Sequence, residues 1–174
     1  MKLNRKLTLI PAIFLLLITP TVSAGQGNLV KLDSEGRELS DDAKEWSMVK
    51  DTKKDIVWEV KTDDSSVHDR DNTYSWKKHK KEFLDKLNEE EFGGFSDWRL
   101  PEETELQALV DRDKEAPRID EKYFPNTASY IYLGWTLCQD GSLNVSKVNF
   151  GPKGLKKKGR GSSIRAVRGE YKGD

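Results

Sequence analysis

An Asp-Gly pair in the last third of the chain places the strongest constraint on the fold. Asp140-Gly141 separates two runs with the composition of β-strands, Ser129 to Leu137 and Leu143 to Phe150. Because Asp-Gly favours a tight hairpin turn, these runs predict two adjacent antiparallel strands. Ile56 to Lys61 is rich in β-branched and aromatic residues and predicts an earlier strand, and Ser163 to Arg168 predicts a last one. The sheet is therefore expected to be antiparallel.

Two helices are predicted between the first of these strands and the hairpin. Apolar residues recur near every 3.6 positions from about Tyr74 to Glu89, where Thr73 can cap the first helix. Pro101 suits the start of a second helix, from about Glu102 to Asp111. The predicted buried positions are Trp76, Phe83, Leu84 and Leu87 in the first helix and Leu106, Leu109 and Val110 in the second. Helices followed by an antiparallel sheet indicate an α+β domain.

The N-terminus has the pattern of a secretory signal peptide. Lys2, Arg5 and Lys6 precede the apolar run from Leu7 to Ile18, and small residues end at Ala24. We therefore predict a signal peptide at 1–24, one domain at 25–168, and a C-terminal tail at 169–174. The apolar run is too short to span a bilayer comfortably, so no membrane span is expected after cleavage. The predicted location is periplasmic or secreted, and an uncleaved anchor is the alternative.

The amino-acid composition excludes a disordered chain and a cysteine-rich domain. The 174 residues include five Trp, five Tyr and six Phe, which are too many for a disordered chain of this polarity. The single cysteine, Cys138, excludes an intrachain disulfide framework and a Cys-rich metal site, and we expect it to be buried. No cofactor is predicted.

The formal net charge of zero hides a strong asymmetry. Residues 151–174 contain eight Lys or Arg and only two Asp or Glu. Five of these cations, interleaved with glycines, form what we call the basic segment: Lys153, Lys156, Lys157, Lys158 and Arg160. Ammonium and guanidinium groups on such a loop can bind the sulfates or phosphates of an anionic polymer. The alternative is a solvated hairpin loop whose lysines keep the protein soluble.

A second cluster of charge is acidic and lies between the first strand and the first helix. Asp63, Asp64, His68, Asp69 and Asp71 could supply oxygen ligands to calcium. An EF-hand loop beginning at Asp69 would need Gly at the sixth position and an acid at the twelfth, where this chain has Tyr and Lys. We therefore favour an acidic turn that caps the first helix, and predict no metal site.

Enzyme chemistry is not predicted. His68 and His79 are expected to be exposed, and the sequence has no nucleophile elbow, phosphate loop or zinc motif. Nucleic acid is a poor partner for an exported protein whose aromatic residues are not interleaved with the basic segment. Trp98 is expected to anchor the core, with Asp97 and Arg99 in a buried hydrogen-bond network. Trp135 is the best candidate for a sugar-stacking platform, although a core position is the favoured alternative.

The most specific motif in the chain is Gly94-Phe95-Ser96-Asp97-Trp98-Arg99-Leu100-Pro101. Other segments accompany it in order, namely Lys31-Leu32-Asp33 with Gly36, Trp46 with Val49-Lys50-Asp51, Trp58 to Thr62, Asp71 to Trp76, Phe83-Leu84, Leu87-Asn88, Glu105-Leu106, Leu109 to Asp111, Ile119-Asp120, Tyr123 to Thr127, and Ile164 to Arg168. In this order and spacing they resemble the Lcl C-terminal domain family, a domain of unknown function named after the end domain of a collagen-like adhesin.

The resemblance implies an exported bacterial domain with a C-type-lectin-like fold, in which two helices pack on a twisted antiparallel sheet. In the adhesin, a trimeric domain of this family binds sulfated glycosaminoglycans and supports adhesion. The resemblance is therefore compatible with a homo-oligomer of this chain. Many members have Cys where this chain has Met48, and Cys at Gly93 or Gly94, which implies a disulfide that is missing here. Glu102 replaces a usual capping Thr, which is expected to weaken the capping box with Glu105.

Together these observations predict an exported, non-enzymatic recognition domain. Its expected partner is an anionic, sulfated glycan or another surface polymer, bound by the basic segment. The alternative is a periplasmic structural or assembly module that binds a protein partner.

Overall fold

A four-stranded antiparallel sheet forms the centre of the domain. In the computed structural model, which describes residues 28–155 and 161–170, its strands are β1 (Leu29–Leu32), β2 (Met48–Asp51), β3 (Ile56–Glu59) and β6 (Val167–Arg168), in the order β1-β2-β3-β6. The predicted strand at 56–61 is confirmed as β3. The predicted last strand is shorter than expected, because Ser162 and Ser163 form isolated bridges to Tyr74 and Tyr132.

The predicted hairpin is confirmed. Strands β4 (Ile131–Leu137) and β5 (Leu143–Asn149) pair in an antiparallel register that places Leu137 opposite Leu143. Gly141 in the connecting turn has a φ of 81°, a conformation that glycine adopts without steric cost. The described residues thus form an α+β fold with antiparallel sheets, as predicted, and they include no helix long and apolar enough to cross a membrane.

The first helix begins later than the sequence predicts. A π-helical turn at Lys80–Leu84 continues as α1 (Asp85–Glu89). Tyr74 instead exchanges two backbone hydrogen bonds with Ser162, each 2.9 Å long, which keeps the chain there extended. The helix therefore does not start at Tyr74, and Trp76, predicted to be buried, is 39% exposed.

The apolar stripe of this helix is otherwise as predicted. Phe83, Leu84 and Leu87 are all buried. Their burial anchors the helix on the sheet, which matters because a helix this short has little stability of its own.

The second helix, α2 (Glu103–Ala108), is shorter than its predicted range but begins where expected. Leu106 is fully buried, whereas Leu109 and Val110 lie beyond the helix and are half-buried. The capping box with Glu105 is formed, and the Glu102 backbone N–H donates to Glu105 Oε2 at 2.7 Å. The box is thus present although Glu102 replaces the usual Thr, and its weakening stays a prediction.

Both faces of the central sheet are buried. Alternate residues of a strand point to opposite faces, so neighbouring residues in β2 and β3 belong to two different apolar clusters. Met48 and Val57 join the first cluster together with the residues of α1. Val49, Ile56 and Trp58 join the second, together with Leu106 of α2 and Tyr132 of β4. The first cluster thus contains the buried face of α1 and the second that of α2, while the hairpin contributes to both, through Leu133 to the first and Tyr132 to the second.

The Gly94–Pro101 motif ties α1 to the central sheet. Trp98 is buried, as predicted, and its Nε1 donates to the Phe92 carbonyl at 2.9 Å. Arg99 Nη2 lies 2.7 Å from the buried carboxylate of Glu105. Asp97 was expected in a buried network, but its carboxylate is exposed and pairs with Arg168 at 2.7 Å, because the chain turns outward before the buried Trp98.

Met48 occupies the space beside Gly93. A Cβ atom added at Gly93 would lie 2.5 Å from both Sδ and Cε of Met48, whereas a Cβ at Gly94 would meet nothing within 4 Å. Gly93, rather than Gly94, is therefore the neighbour of residue 48, and apolar packing fills the place of the disulfide that the family resemblance implies.

Cys138, predicted to be buried, is only half-buried. It lies near the turn of the hairpin, where Leu137 beside it is 60% exposed, so the sheet does not cover the thiol. The Asn144 amide donates to its Sγ at 2.9 Å.

A candidate anion-binding groove

Four basic side chains from distant parts of the sequence line one groove. They are Arg112, Arg118, Lys147 and Lys153, and they share a volume of about 410 Å³ with the polar and aliphatic residues Gln107, Val110, Val148 and Asn149. No carboxylate is among the described residues that line it. We call this surface the basic groove.

Arg118 is fixed in the groove by its own backbone and side chain. Its N–H donates to the Phe150 carbonyl at 2.9 Å, and its carbonyl accepts from the Asp111 N–H at 3.0 Å. Its guanidinium Nη2 donates to the Asn149 carbonyl at 2.7 Å. These bonds attach the 111–118 segment to the end of β5 and thereby bring Arg112 and Lys147 to one surface.

The guanidinium of Arg118 has an unused donor. Its Nε is buried and has no hydrogen-bond partner among the described residues. A buried N–H without an acceptor costs about 1–3 kcal/mol, and more when the group is charged. An anionic oxygen in the groove could accept from a guanidinium with favourable geometry.

The cations of the basic groove also lack counter-charges. In the described part of the chain none of the four forms a salt bridge, whereas Lys114, in the same loop as Arg112, pairs with Asp111 at 3.7 Å and Asp120 at 3.3 Å. No ion pair among the described residues therefore offsets the charge of these four side chains, which favours an anionic ligand.

The structure places one member of the basic segment in this groove. Lys153 is exposed and lines it. The remaining members, Lys156, Lys157, Lys158 and Arg160, lie outside the described residues and follow Lys153 closely in the chain. Sequence reasoning missed the other three cations because Arg112, Arg118 and Lys147 are scattered and none belongs to a charge run.

Two basic residues near the C-terminus serve the fold instead. Arg165 is 1% exposed and donates to the Glu59 carbonyl and to Thr127 Oγ1, each at 2.7 Å. Arg168 pairs with Asp97 and lies 4.0 Å from the centre of the Phe95 ring. The excess of positive charge in residues 151–174 is thus only partly available to a ligand.

Trp135, in strand β4 of the hairpin, contacts the Gly94–Pro101 motif. It is half-buried, packs against the first apolar cluster, and its Nε1 donates to the Leu100 carbonyl at 3.0 Å. These contacts hold the indole in place. Its role as a sugar platform stays a prediction for the exposed part of the ring.

The acidic loop uses its carboxylates to organise its own backbone. Asp69 accepts from the N–H groups of Ser65 at 2.6 Å, Asp71 at 2.8 Å and Asp64 at 3.0 Å. Hydrogen bonds from Thr62 and Ser66 lower the pKa of Asp64 to about 2. Among the described residues, no three His, Cys, Asp or Glu side chains are grouped as metal ligands would be. The loop lies well before the start of the first helix and so does not cap it.

His68 closes a buried polar cluster rather than facing solvent. Its side chain is only 14% exposed, and Nδ1 lies 2.9 Å from Oε1 of the fully buried Glu59. The prediction that His68 is exposed is therefore wrong, because Glu59 at the end of β3 needs partners inside the protein. The second histidine, His79, stacks on Trp76 at the surface with ring centres 4.7 Å apart.

The same cluster contains Lys61, whose Nζ lies 2.9 Å from Glu59. Burial raises the pKa of Glu59, but the Lys61 ammonium and the His68 hydrogen bond outweigh that effect, so the pKa lies below its ordinary value. Burial lowers the pKa of Lys61. Glu59 and Lys61 are buried, so the cluster supports the fold.

Comparison with known proteins identifies a family. A family model described as the Lcl C-terminal domain matches residues 47–168, which is more than half of the chain. No curated protein and no solved structure matches the chain.

Proposed function

The chain belongs to the Lcl C-terminal domain family, and we propose that it is an exported, non-enzymatic recognition domain for anionic glycans. The proposed ligand is a sulfated glycan or a similar anionic surface polymer, and the proposed site is the basic groove. One observation carries this proposal: four cations converge on a groove whose described lining contains no carboxylate. Adhesion to a surface that carries such a polymer would follow from this binding.

We infer that the domain has a C-type-lectin-like arrangement. Two short helical segments lie beside antiparallel strands, and long irregular segments connect them. The family resemblance supports the same arrangement. Irregular segments of this kind can vary without disturbing the core, and they carry the basic groove.

The chemistry of the groove suits a polyanion rather than a single small anion. Arg118 is anchored by its hydrogen bonds and adds a fixed positive charge to the groove, while Lys147 and Lys153 can meet neighbouring charges on the same polymer. The basic segment adds four more cations directly after Lys153 in the sequence. Binding of this kind weakens as salt screens the charges, over a Debye length of about 8 Å at physiological ionic strength.

A charge-removal experiment tests the groove. We expect the triple variant Arg112→Gln, Lys147→Gln, Lys153→Gln to elute from heparin–agarose at a lower NaCl concentration than the wild type. Arg118 is left intact because it holds the 111–118 segment in place.

The matched control removes three charges elsewhere. Lys53, Lys77 and Lys86 are exposed, and no salt bridge to them occurs among the described residues, so the variant in which all three become Gln has the same net charge as the groove variant. Its elution should remain close to that of the wild type. An equal shift for both variants would show that only net charge matters and would refute the groove as the site.

The basic segment is tested separately. Replacement of Lys156, Lys157 and Lys158 with Ser should lower the elution salt concentration further when it is combined with the groove variant. Unchanged retention would remove the segment from the proposed site.

A second candidate function rests on the end of the hairpin. Leu137 is 60% exposed, Leu143 opposite it is 61% exposed, and the nearby Val145 is 39% exposed. These three side chains lie on one face of the hairpin, and an exposed apolar patch of this kind is typical of a protein-binding site. This observation favours a periplasmic structural or assembly module with a protein partner.

Photo-crosslinking in the periplasm tests the second candidate. A crosslinking amino acid at position 143 should give one discrete adduct, which a second substitution, Leu137→Ser, should remove. The same amino acid at position 53 is the control and should give none. Failure to form the adduct at position 143 would reject this function. Sedimentation of the purified protein would show whether two copies associate, in which case the adduct joins two copies of this chain.

A further inference from the structure

A second concavity, separate in chemistry from the basic groove, lies on the other side of the 117–118 segment. We call it the polar cavity. Its volume is about 890 Å³, and the described residues of its wall are Arg70, Asp71, Thr73, Pro117, Glu121, residues 125–130, Gly161 and Ser163. Small-molecule sites commonly occupy about 300–1,000 Å³, so the cavity has room for one or two sugar rings.

Ser163 gives the polar cavity an unsatisfied hydroxyl. It is 2% exposed, lines the cavity, and its Oγ has no hydrogen-bond partner among the described residues. Ser163 therefore contributes a buried, unpaired hydroxyl to the wall of the polar cavity, and a ligand hydroxyl is the kind of group that would pair with it.

An unpaired serine hydroxyl is not by itself a site. Ser146, in β5, is also buried with an unpaired Oγ, yet it does not line the polar cavity. The feature specific to Ser163 is that its unpaired buried hydroxyl belongs to a residue that lines the cavity. Leaving such a group unpaired costs about 1–3 kcal/mol, which a ligand hydrogen bond would recover in part.

The charges of the polar cavity argue against a polyanion. Its single described cation, Arg70, is paired with Asp63 at 3.1 Å. Asp71 and Glu121 are exposed carboxylates in its wall. A sulfated ligand would meet two negative groups here with no unpaired cation among the described lining residues to offset them, in contrast to the basic groove.

The hydrogen-bonding groups of the wall instead suit a ligand rich in hydroxyls. Carboxylates accept from hydroxyl groups, the Asn126 amide both donates and accepts, and a serine hydroxyl does either. Tyr130 and Pro125 add apolar surface to the same wall. An uncharged sugar presents hydroxyl groups that alternate with C–H surface, so it matches both kinds of group in this wall.

From this combination we propose that the polar cavity binds an uncharged saccharide unit. The proposal is independent of the groove as a polyanion site, because the two surfaces have different lining residues and opposite charge.

Titration by ¹⁵N-HSQC NMR with cellobiose, lactose and N,N′-diacetylchitobiose tests the proposal. At least one of these neutral disaccharides should cause saturable shifts of the amide signals of Ser129, Tyr130 and Ser163 at millimolar concentration. A sulfated heparin disaccharide should not shift these signals in a saturable way.

Two variants locate the binding. Ser163→Ala should weaken the binding about 3- to 10-fold, the size expected for one hydrogen bond. Ser129→Trp places a large ring at an exposed position of the wall and should abolish binding. The matched control is Ser146→Ala, which removes an equally unpaired buried hydroxyl outside the cavity and should leave the affinity unchanged.

Two results would overturn the proposal. One is the absence of saturable shifts with all three neutral disaccharides, and the other is unchanged binding in a Ser129→Trp variant whose spectrum shows the native fold. Heparin retention of Ser129→Trp should equal that of the wild type. The groove proposal is tested by heparin retention of the groove variant, and the cavity proposal by disaccharide binding of the Ser129→Trp variant. Either proposal can therefore fail while the other holds.

Discussion

At the scale of single residues, Glu59 is a buried carboxylate with several hydrogen-bond partners. Its carboxylate contacts Lys61 and His68 at 2.9 Å and accepts from the Ala166 N–H at 3.0 Å. Its own carbonyl accepts from Arg165. One residue at the end of β3 thus joins the acidic loop to the segment that leads into β6. A buried charge is tolerated only where its partners are held in this way.

Removal of the Glu59 charge should be costly. Glu59→Gln leaves the Lys61 ammonium, 2% exposed, without its counter-charge. We expect the free energy of unfolding at pH 7 to fall by about 3–5 kcal/mol, as for other broken buried pairs, measured by urea denaturation. Glu82→Gln, which removes an exposed carboxylate paired with Lys78, is the control and should change it by less than about 0.5 kcal/mol.

The same variant should lose a pH dependence. The pKa of Glu59 is lower in the folded protein than its ordinary value of 4.5. Its contribution to stability is therefore complete above that value and is lost as the pH falls through the folded-state pKa. The difference in melting temperature between wild type and Glu59→Gln should narrow as the pH decreases below 4.5. Melting curves whose separation does not change with pH would contradict this.

At the scale of elements, β2 contacts the 3-10 turn at Phe92–Gly94 at the place where the family resemblance implies a disulfide. Met48 is fully buried in β2, and its side chain touches the position where a Cβ of residue 93 would lie. A disulfide at this place would contribute about 2–4 kcal/mol, whereas this chain depends on apolar packing.

Alanine substitutions in this turn separate steric contact from backbone strain. Gly93 and Gly94 both have positive φ, 69° and 77°, but only Gly93 lies against Met48. We expect Gly93→Ala to lower the free energy of unfolding by about 1–3 kcal/mol more than Gly94→Ala, because the new methyl group clashes with the methionine. In a Met48→Ala background this difference should largely disappear, and its persistence in urea denaturation would refute the contact.

At the scale of the whole molecule, the central sheet couples the two apolar clusters. β2 and β3 send alternate residues into both, so neither cluster can lose its packing without disturbing the strands that the other requires. The Arg99–Glu105 pair adds a further link between the Gly94–Pro101 motif and α2. The architecture favours one cooperative unfolding transition.

Residue-resolved unfolding checks this cooperativity. The amide signals of Leu87 in the first cluster and Phe124 in the second should lose intensity with the same midpoint in a urea titration followed by NMR. Two separate midpoints would show that the sheet does not transmit stability between its faces.

Some features follow from the sequence because they depend on neighbouring residues. The hairpin was predictable from Asp140-Gly141, since a tight turn is encoded by the conformational preferences of two residues. The buried face of α1 was predictable from the spacing of Phe83, Leu84 and Leu87. Strands β1 and β2 were not predicted, because each has only four residues and β1 is stabilised by pairing with β2 across the long connection at 33–47. The start of α1 was wrong because Tyr74 pairs with Ser162, far along the chain.

By itself, the sequence determined the α+β class, the hairpin, and the concentration of positive charge that begins at Lys153. Only the tertiary structure decided which cations share a surface. Hydrogen bonds of Arg118 to Asn149 and Phe150 bring Arg112 and Lys147 to Lys153, while Arg165 is withdrawn into the interior. The physical reason is that electrostatic potential depends on distances in space and on burial, and neither quantity is encoded in the order of charges along a chain.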